Sequence, residues 1–213
     1  MTRERRSAIA HRARVLRRIG LGAGAATVAL AVATRAHRLQ SYDDAIEDAV
    51  APRRPRLARA ANIGTLAGEP YVHPAIGAAV ACLVLIQRGG RARRVLLPLA
   101  GASLGAIVAH HAVKAVYRRA RPRPALRRGK TESAYPSGHT ADATAVLATG
   151  AYLLVREDIV VAEVALPIAT GLALGVGASR VALGWHWATD VVGGWLTGVA
   201  VAASCAGAYE RLR

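Results

Sequence analysis

Three short stretches of this sequence hold the residue types that can grip an anion and move protons around it. They are Lys114 through Arg121-Pro122, then Tyr135-Pro136-Ser137-Gly138-His139, and then Ser179-Arg180 through His186 to Asp190. Lys114 and Arg121 are seven residues apart, two helical turns, so both project from one face of a helix. Pro122 then ends that helix. Two neighbouring cations repel, and an anion held between them removes the conflict; anchoring at a membrane interface is the competing reading. Pro136-Ser137-Gly138-His139 opens a helical segment. The free backbone N–H groups of a helix start suit phosphate. Gly138 admits close backbone approach, Ser137 adds a hydroxyl donor, and His139 can hand a proton to a departing oxygen. An ordinary capped helix start is the simpler account of the same residues.

The third stretch is the most informative. His186 and Asp190 are i and i+4, so they stack on one helix face. Asp190 can accept the Nδ1–H of His186 and leave the Nε2 lone pair exposed. This is how an imidazole becomes a nucleophile with a fixed tautomer. Arg180 contributes a planar fork that matches phosphate oxygens. A metal pair also uses i,i+4 spacing, but the surrounding lysine and arginines would repel a cation.

The elements that must position these residues can be read from the hydropathy pattern. The 213-residue chain is 53% hydrophobic yet carries a net charge of +16, with charges in blocks between long apolar runs. Six apolar segments result: 19–34, 71–87, 95–117, 140–155, 159–178 and 186–209. A membrane-spanning helix needs about 20 such residues, with a range of about 17–25. The pattern predicts an all-α, polytopic membrane protein: a six-helix transmembrane bundle with its chemistry at one face. The loops after the third and fifth spans emerge on the same side, and they hold all three polar stretches. Small-xxx-small pairs at Gly101/Gly105, Gly171/Gly175 and Gly194/Gly198 suit close helix crossings.

Residues 1–18 carry seven arginines and form a basic, cytoplasmic N-terminal segment ahead of the membrane domain at 19–213. A basic stretch before a short apolar run also describes a secretory signal. Either reading places the stretch after Arg35 outside the cytoplasm. Basic residues are otherwise balanced between the two sides, so orientation rests on this segment. The polar stretch 36–70 suits a short interfacial helix through Leu39, Tyr42, Ala45 and Ile46, or a solvated linker. The basic charge does not indicate nucleic acid: there is no such motif, and aromatics make up only 4% of the chain. Cys82 and Cys205 lie in apolar runs and read as small hydrophobes.

Taken together, the three stretches resemble the signature of the type 2 phosphatidic acid phosphatase family, in order and with the family's internal spacing, over Lys114–Asp190. The six-span layout resembles the family's membrane branch. The resemblance implies a metal-independent hydrolase without cofactor, acting on a phosphomonoester or diphosphate of a bilayer lipid. His186 would be the nucleophile forming a phosphohistidine, Asp190 would orient it, and His139 would protonate the leaving oxygen and then activate water. Lys114, Arg121, Ser137, Gly138 and Arg180 would bind the phosphate. Phosphatidic acid, phosphatidylglycerol phosphate and polyprenyl diphosphates all fit, with an outward-facing site leaning toward a carrier lipid. Phosphotransfer to an alcohol, a vanadium haloperoxidase-like oxidation, and a non-enzymatic lipid transporter or scaffold are the alternatives. Asp142 has no signature position and reads as an acid suited to a helix's first turn. His110 reads as a histidine bonded between helices or as pocket floor, while His111 and Glu69 have no assigned role. Trp185 and Trp187 read as interface anchors.

Overall fold

A computed structural model describes residues 3–89 and 92–212; residues 1 and 2 of the predicted basic segment, the loop residues 90 and 91, and residue 213 lie outside them. Nine helices occur in order among the described residues: α1 (Arg3–Arg35), α2 (Gln40–Val50), α3 (Arg54–Gly64), α4 (Val72–Arg88), α5 (Ala92–Val116), α6 (Arg123–Arg127), α7 (Gly138–Arg156), α8 (Ala162–Ala182) and α9 (Ala188–Leu212). Each of the six apolar segments is a helix. Their outer surfaces expose Val28, Val32, Ile86, Leu97, Leu104, Val108, Ile168 and Leu172. Backbone polar groups satisfied within helices and an apolar exterior are what a bilayer demands.

The hydropathy pattern predicts six spans; four helices, α1, α5, α8 and α9, are long and apolar enough to cross a membrane. α4 is apolar but has only 17 residues. α7 carries His139, Thr140, Asp142, Thr144 and Thr149, which lower its hydropathy. It tolerates them because it is the central helix: all but a few of its residues are buried, packed between α9, α8, α5 and α4. Its neighbours there are protein, so hydropathy is a poor marker for it.

The contact between α7 and α9 depends on two glycines. A Cβ at Gly194 would sit 2.7 Å from the Ser137 carbonyl oxygen, and one at Gly198 would sit 2.5 Å from Thr144 Cβ. The two backbones therefore approach as closely as the absence of side chains allows. A Cβ at Gly101 or Gly105 would sit 3.3 Å from Cys205 Sγ or 3.2 Å from Val201 Cγ1 of α9, a crowding that a small shift of those side chains relieves, whereas one at Gly171 or Gly175 would meet open space. Of the three predicted small-residue pairs, only the last is required by packing.

α1 is one 33-residue helix. At 1.5 Å per residue it is about 50 Å long, well beyond a hydrocarbon core of about 30 Å. The arginine-rich segment is thus the first part of this helix, and it packs on α9. Arg12 Nε lies 3.4 Å from Glu210, which also accepts from Arg156 Nε at 2.6 Å and Tyr152 OH at 2.8 Å. That cluster ties α1, α7 and α9 together at the end of the bundle opposite the three polar stretches. The segment 36–70 is not a linker: α2 and α3 fold over the polar end, and Asp43 of α2 is fully buried there.

Candidate active site

The C-terminal ends of α5 and α8 and the N-terminal ends of α7 and α9 converge on one cavity of about 1290 Å³. Lys114, Arg121, Gly138, His139, Arg180 and His186 line it. The other two predicted site residues stand behind it: Ser137 and Asp190 are fully buried and outside the lining. Backbone bonds hold the three stretches in register. Ala134 N–H donates to Arg119 O at 2.9 Å, and Ser137 N–H donates to Asp190 O at 3.0 Å. Arg121 Nη1 reaches Trp185 O at 3.0 Å.

Arg121 Nη1 is also 3.3 Å from His186 Nε2. A guanidinium can only donate, so Nε2 accepts and the ring proton resides on Nδ1. Nδ1 faces Asp190 Oδ2 at 3.6 Å, the partner expected from the i,i+4 spacing but beyond hydrogen-bond length. Asp190 is itself held elsewhere. Its Oδ2 accepts the Trp187 N–H at 2.9 Å, the backward half of a capping box at the start of α9. Its Oδ1 accepts from Arg119 Nη1 at 2.6 Å. Burial, only partly offset by Asp190 and reinforced by Arg121 and Arg180, pushes the His186 imidazole down to about 4. At neutral pH it is uncharged, with its Nε2 lone pair turned toward the cavity's cations.

Arg119 is a residue that spacing did not reveal. It lies between two buried carboxylates, Asp190 and Asp43, donating to Asp43 Oδ2 at 2.6 Å. Asp43 in turn accepts from Thr189 N–H at 3.0 Å and Thr189 Oγ1 at 2.6 Å. A buried carboxylate pair around one guanidinium is stable only with such full hydrogen bonding. In a chain this rich in arginine and with a run of acids around Asp43, no local signal singles out either residue.

The opposite wall belongs to His139. Its Nε2 is 3.3 Å from Glu69 Oε1, which gives the unassigned Glu69 a partner. Gly68 makes this possible, since a Cβ there would sit 2.7 Å from His139 O. Arg180 donates from Nη1 to Thr65 Oγ1 at 2.8 Å, while its buried Nε has no partner among the described residues. Lys114 makes no hydrogen bond or ion pair among the described residues and faces the cavity. Ser137 takes the N-cap position of α7 without a side-chain cap bond, its Oγ accepting from Thr140 Oγ1 at 2.9 Å. Below His139, His110 packs against Gly138, and its Nε2 is 3.5 Å from Asp142 Oδ2. His110 thus both pairs between helices and lines the cavity. His111 is exposed, with Nδ1 2.9 Å from Ile107 O. Trp187 Nε1 donates to Ala120 O at 2.9 Å, while the Arg128 guanidinium stacks on Trp185 at 4.6 Å, so both rings brace the site's loops.

Among the described residues, no group of three or more His, Cys, Asp or Glu could hold a metal ion. With Lys114, Arg118, Arg119, Arg121, Lys130 and Arg180 among the residues that line the cavity, the side chains suit an anion with one histidine, His139 or His186, on either side of it.

Comparison with known proteins agrees. The family model described as the PAP2 superfamily matches residues 95–213, more than half of the chain. A solved structure, the first transmembrane PAP2 type phosphatidylglycerolphosphate phosphatase from Bacillus subtilis, is similar with a TM-score of 0.80 and 27% identity. The likeness covers 91% of this chain and 97% of that one. No curated protein matches the chain.

Proposed function

The chain belongs to the PAP2 superfamily and is a membrane phosphatase; from that premise we propose that it hydrolyses a phosphomonoester or diphosphate of a bilayer lipid through a phosphohistidine. His186 Nε2 attacks phosphorus and forms the P–N bond. The P–O bond to the lipid breaks, its electron pair stays on the leaving oxygen, and His139 supplies the proton. Water then attacks the phosphohistidine, His139 takes its proton, and phosphate leaves as the P–N bond breaks. Lys114, Arg121 and Arg180 carry the charge that builds on the equatorial oxygens, with the Gly138 N–H at the start of α7. Asp190 fixes the His186 ring, and Ser137 acts from behind the wall through the α7 start. No metal is used.

The observation that carries this reading is the Arg121–His186 contact. It fixes the tautomer with the lone pair on Nε2, and it puts a phosphate-binding cation 3.3 Å from the attacking atom. The similar Bacillus subtilis protein, a phosphatidylglycerolphosphate phosphatase by name, supports a glycerophospholipid substrate. Purified His186→Ala, assayed for inorganic phosphate release from short-chain lipid phosphates, tests the mechanism. The expected result is no turnover above background; turnover at the unsubstituted protein's rate refutes it.

The same reading has α4 and α7 crossing the bilayer beside the four long spans. It places the cavity outside the cytoplasm, because the arginine-rich start of α1 lies at the opposite end of the bundle. Labelling of single cysteines in the loop 128–134 by an impermeant maleimide on intact cells checks that side; labelling only after lysis reverses it.

A further inference from the structure

The floor of the cavity holds a second polar cluster that the phosphate chemistry does not use. His73 of α4, His110 of α5 and Asp142 of α7 all line the cavity, with exposures of 0, 5 and 7%. Asp142 Oδ2 is 3.5 Å from His110 Nε2 and 4.0 Å from His73 Nε2. Asp142 Oδ1, both His73 ring nitrogens and His110 Nδ1 are buried without a hydrogen-bond partner among the described residues. Buried polar atoms left unpaired forfeit their hydration without a return, so native structures rarely keep several in one place without a use. The cluster presents both donors and acceptors, since each neutral imidazole has one N–H and one lone pair.

Its location says what it would meet. Asp142 lies one turn below His139 on the same face of α7, and His110 packs on Gly138. The cluster therefore sits on the leaving-group side of the phosphate, next to the proton donor. Glu69 and Asp142 both lie on that side. Two carboxylates repel a leaving oxygen that is itself part of a phosphate, as in a diphosphate, but accept a hydroxyl on the carbon next to the ester. Building on the function proposed above, we propose that His73, His110 and Asp142 form a subsite for a free hydroxyl on the leaving alcohol. The preferred substrate is then a lipid phosphomonoester whose leaving oxygen is an alcohol with a free hydroxyl on the next carbon, with Asp142 accepting from that hydroxyl and an imidazole donating to it.

Three lipids with the same two acyl chains test this with the full-length protein in mixed micelles: phosphatidylglycerol phosphate, its analogue lacking the headgroup 2-hydroxyl, and diacylglycerol diphosphate. The expected kcat/KM for the first exceeds each of the others at least tenfold. Sites built to bond a hydroxyl discriminate strongly against its loss. In Asp142→Asn the ratio between the first two falls to within about twofold, and His73→Gln provides the same readout should Asp142→Asn not fold. Ratios near one in the unsubstituted protein overturn the subsite, as does a tenfold ratio that persists in both variants. Equal turnover of the diphosphate overturns the preference for an alcohol over a phosphate as the leaving oxygen. Failure of the underlying reading looks different: full activity in His186→Ala removes the phosphohistidine mechanism whatever the ratios, and no release from any of the three lipids removes both.

Discussion

Two histidine–carboxylate pairs stand on the cavity's walls, above the cluster at its floor, and they are built in opposite ways. His186 lies two residues before α9 and Asp190 in its first turn, and Asp190 is clamped from behind by the Trp187 N–H and by Arg119, which Asp43 holds in turn. His139 and Glu69 are 70 residues apart, brought together by α7 and the turn before α4, and both side chains are about a quarter exposed. The first pair is almost fully buried, with its carboxylate held from behind; the second is more open to the cavity and held by one contact. This asymmetry suits the two tasks. A nucleophile must present one lone pair along one line, whereas a proton carrier must give up its proton, turn to water and take another.

Substitutions separate the two walls, and the largest loss belongs to the buried one. His186→Ala lowers kcat on the order of 10⁴-fold or more, because loss of a nucleophile removes the covalent route entirely. His139→Ala comes next, with a loss of about 10²–10⁴-fold on a lipid alcohol. That loss shrinks sharply on p-nitrophenyl phosphate, whose leaving group needs no proton; equal losses on both substrates would erase the distinction between the walls. Arg119→Gln comes third. It leaves Asp43 and Asp190 without their shared cation, so thermal denaturation registers about 3–5 kcal/mol of lost stability. The rate falls alike for good and poor leaving groups. Glu69→Gln is the mildest, about tenfold in kcat for lipid alcohols alone, and a loss shared by p-nitrophenyl phosphate would show that Glu69 serves the nucleophile as well.

A titration sharpens the same contrast without changing the rate. NMR of specifically labelled His186 is expected to report an inflection near 4, against about 6.5 for a free imidazole. Because the folded-state value lies below the unfolded one, the unfolded chain binds the extra proton between those two pH values. His186 therefore costs the fold nothing above about pH 6.5, and stability declines as pH falls from there toward 4. An inflection near 6.5 would mean that the ring is wetter than its burial implies.

The apolar runs located five of the six long helices to within a few residues, since period and composition are local properties; α1 begins sixteen residues ahead of its run, because its first turns are basic and not apolar. Six of eight expected site residues share the cavity because they lie at or just beyond helix ends whose side of the bundle is fixed by parity; α5 stops at Val116, however, so Arg121 reaches the cavity from the loop and not from the helix face that carries Lys114. What could not be read depends on distance in three dimensions. Arg119 looks like any of its neighbouring arginines until Asp43 and Asp190 close around it. Glu69 sits alone in a turn, and its partner is in another stretch of sequence. α7 carries polar residues because its surroundings are protein, so hydropathy understates it. The i,i+4 geometry predicted that Asp190 lies beside His186, but not that a guanidinium and a backbone amide would take up most of its acceptor capacity.

The folding of α2, α3 and the turn before α4 over the polar end has a consequence for how such an enzyme can change. All eight expected site residues fall within the stretch that the family model covers, 95–213. Asp43, Thr65, Glu69 and His73, which brace Arg119, Arg180, His139 and the cavity floor, all precede it. Part of what adjusts the site is thus written ahead of the stretch that carries the reacting residues, although His110 and Asp142 of the cavity floor lie within that stretch. Grafting residues 40–73 between relatives is therefore a route to trading selectivity for one leaving alcohol against another while the phosphate-handling half stays as it is.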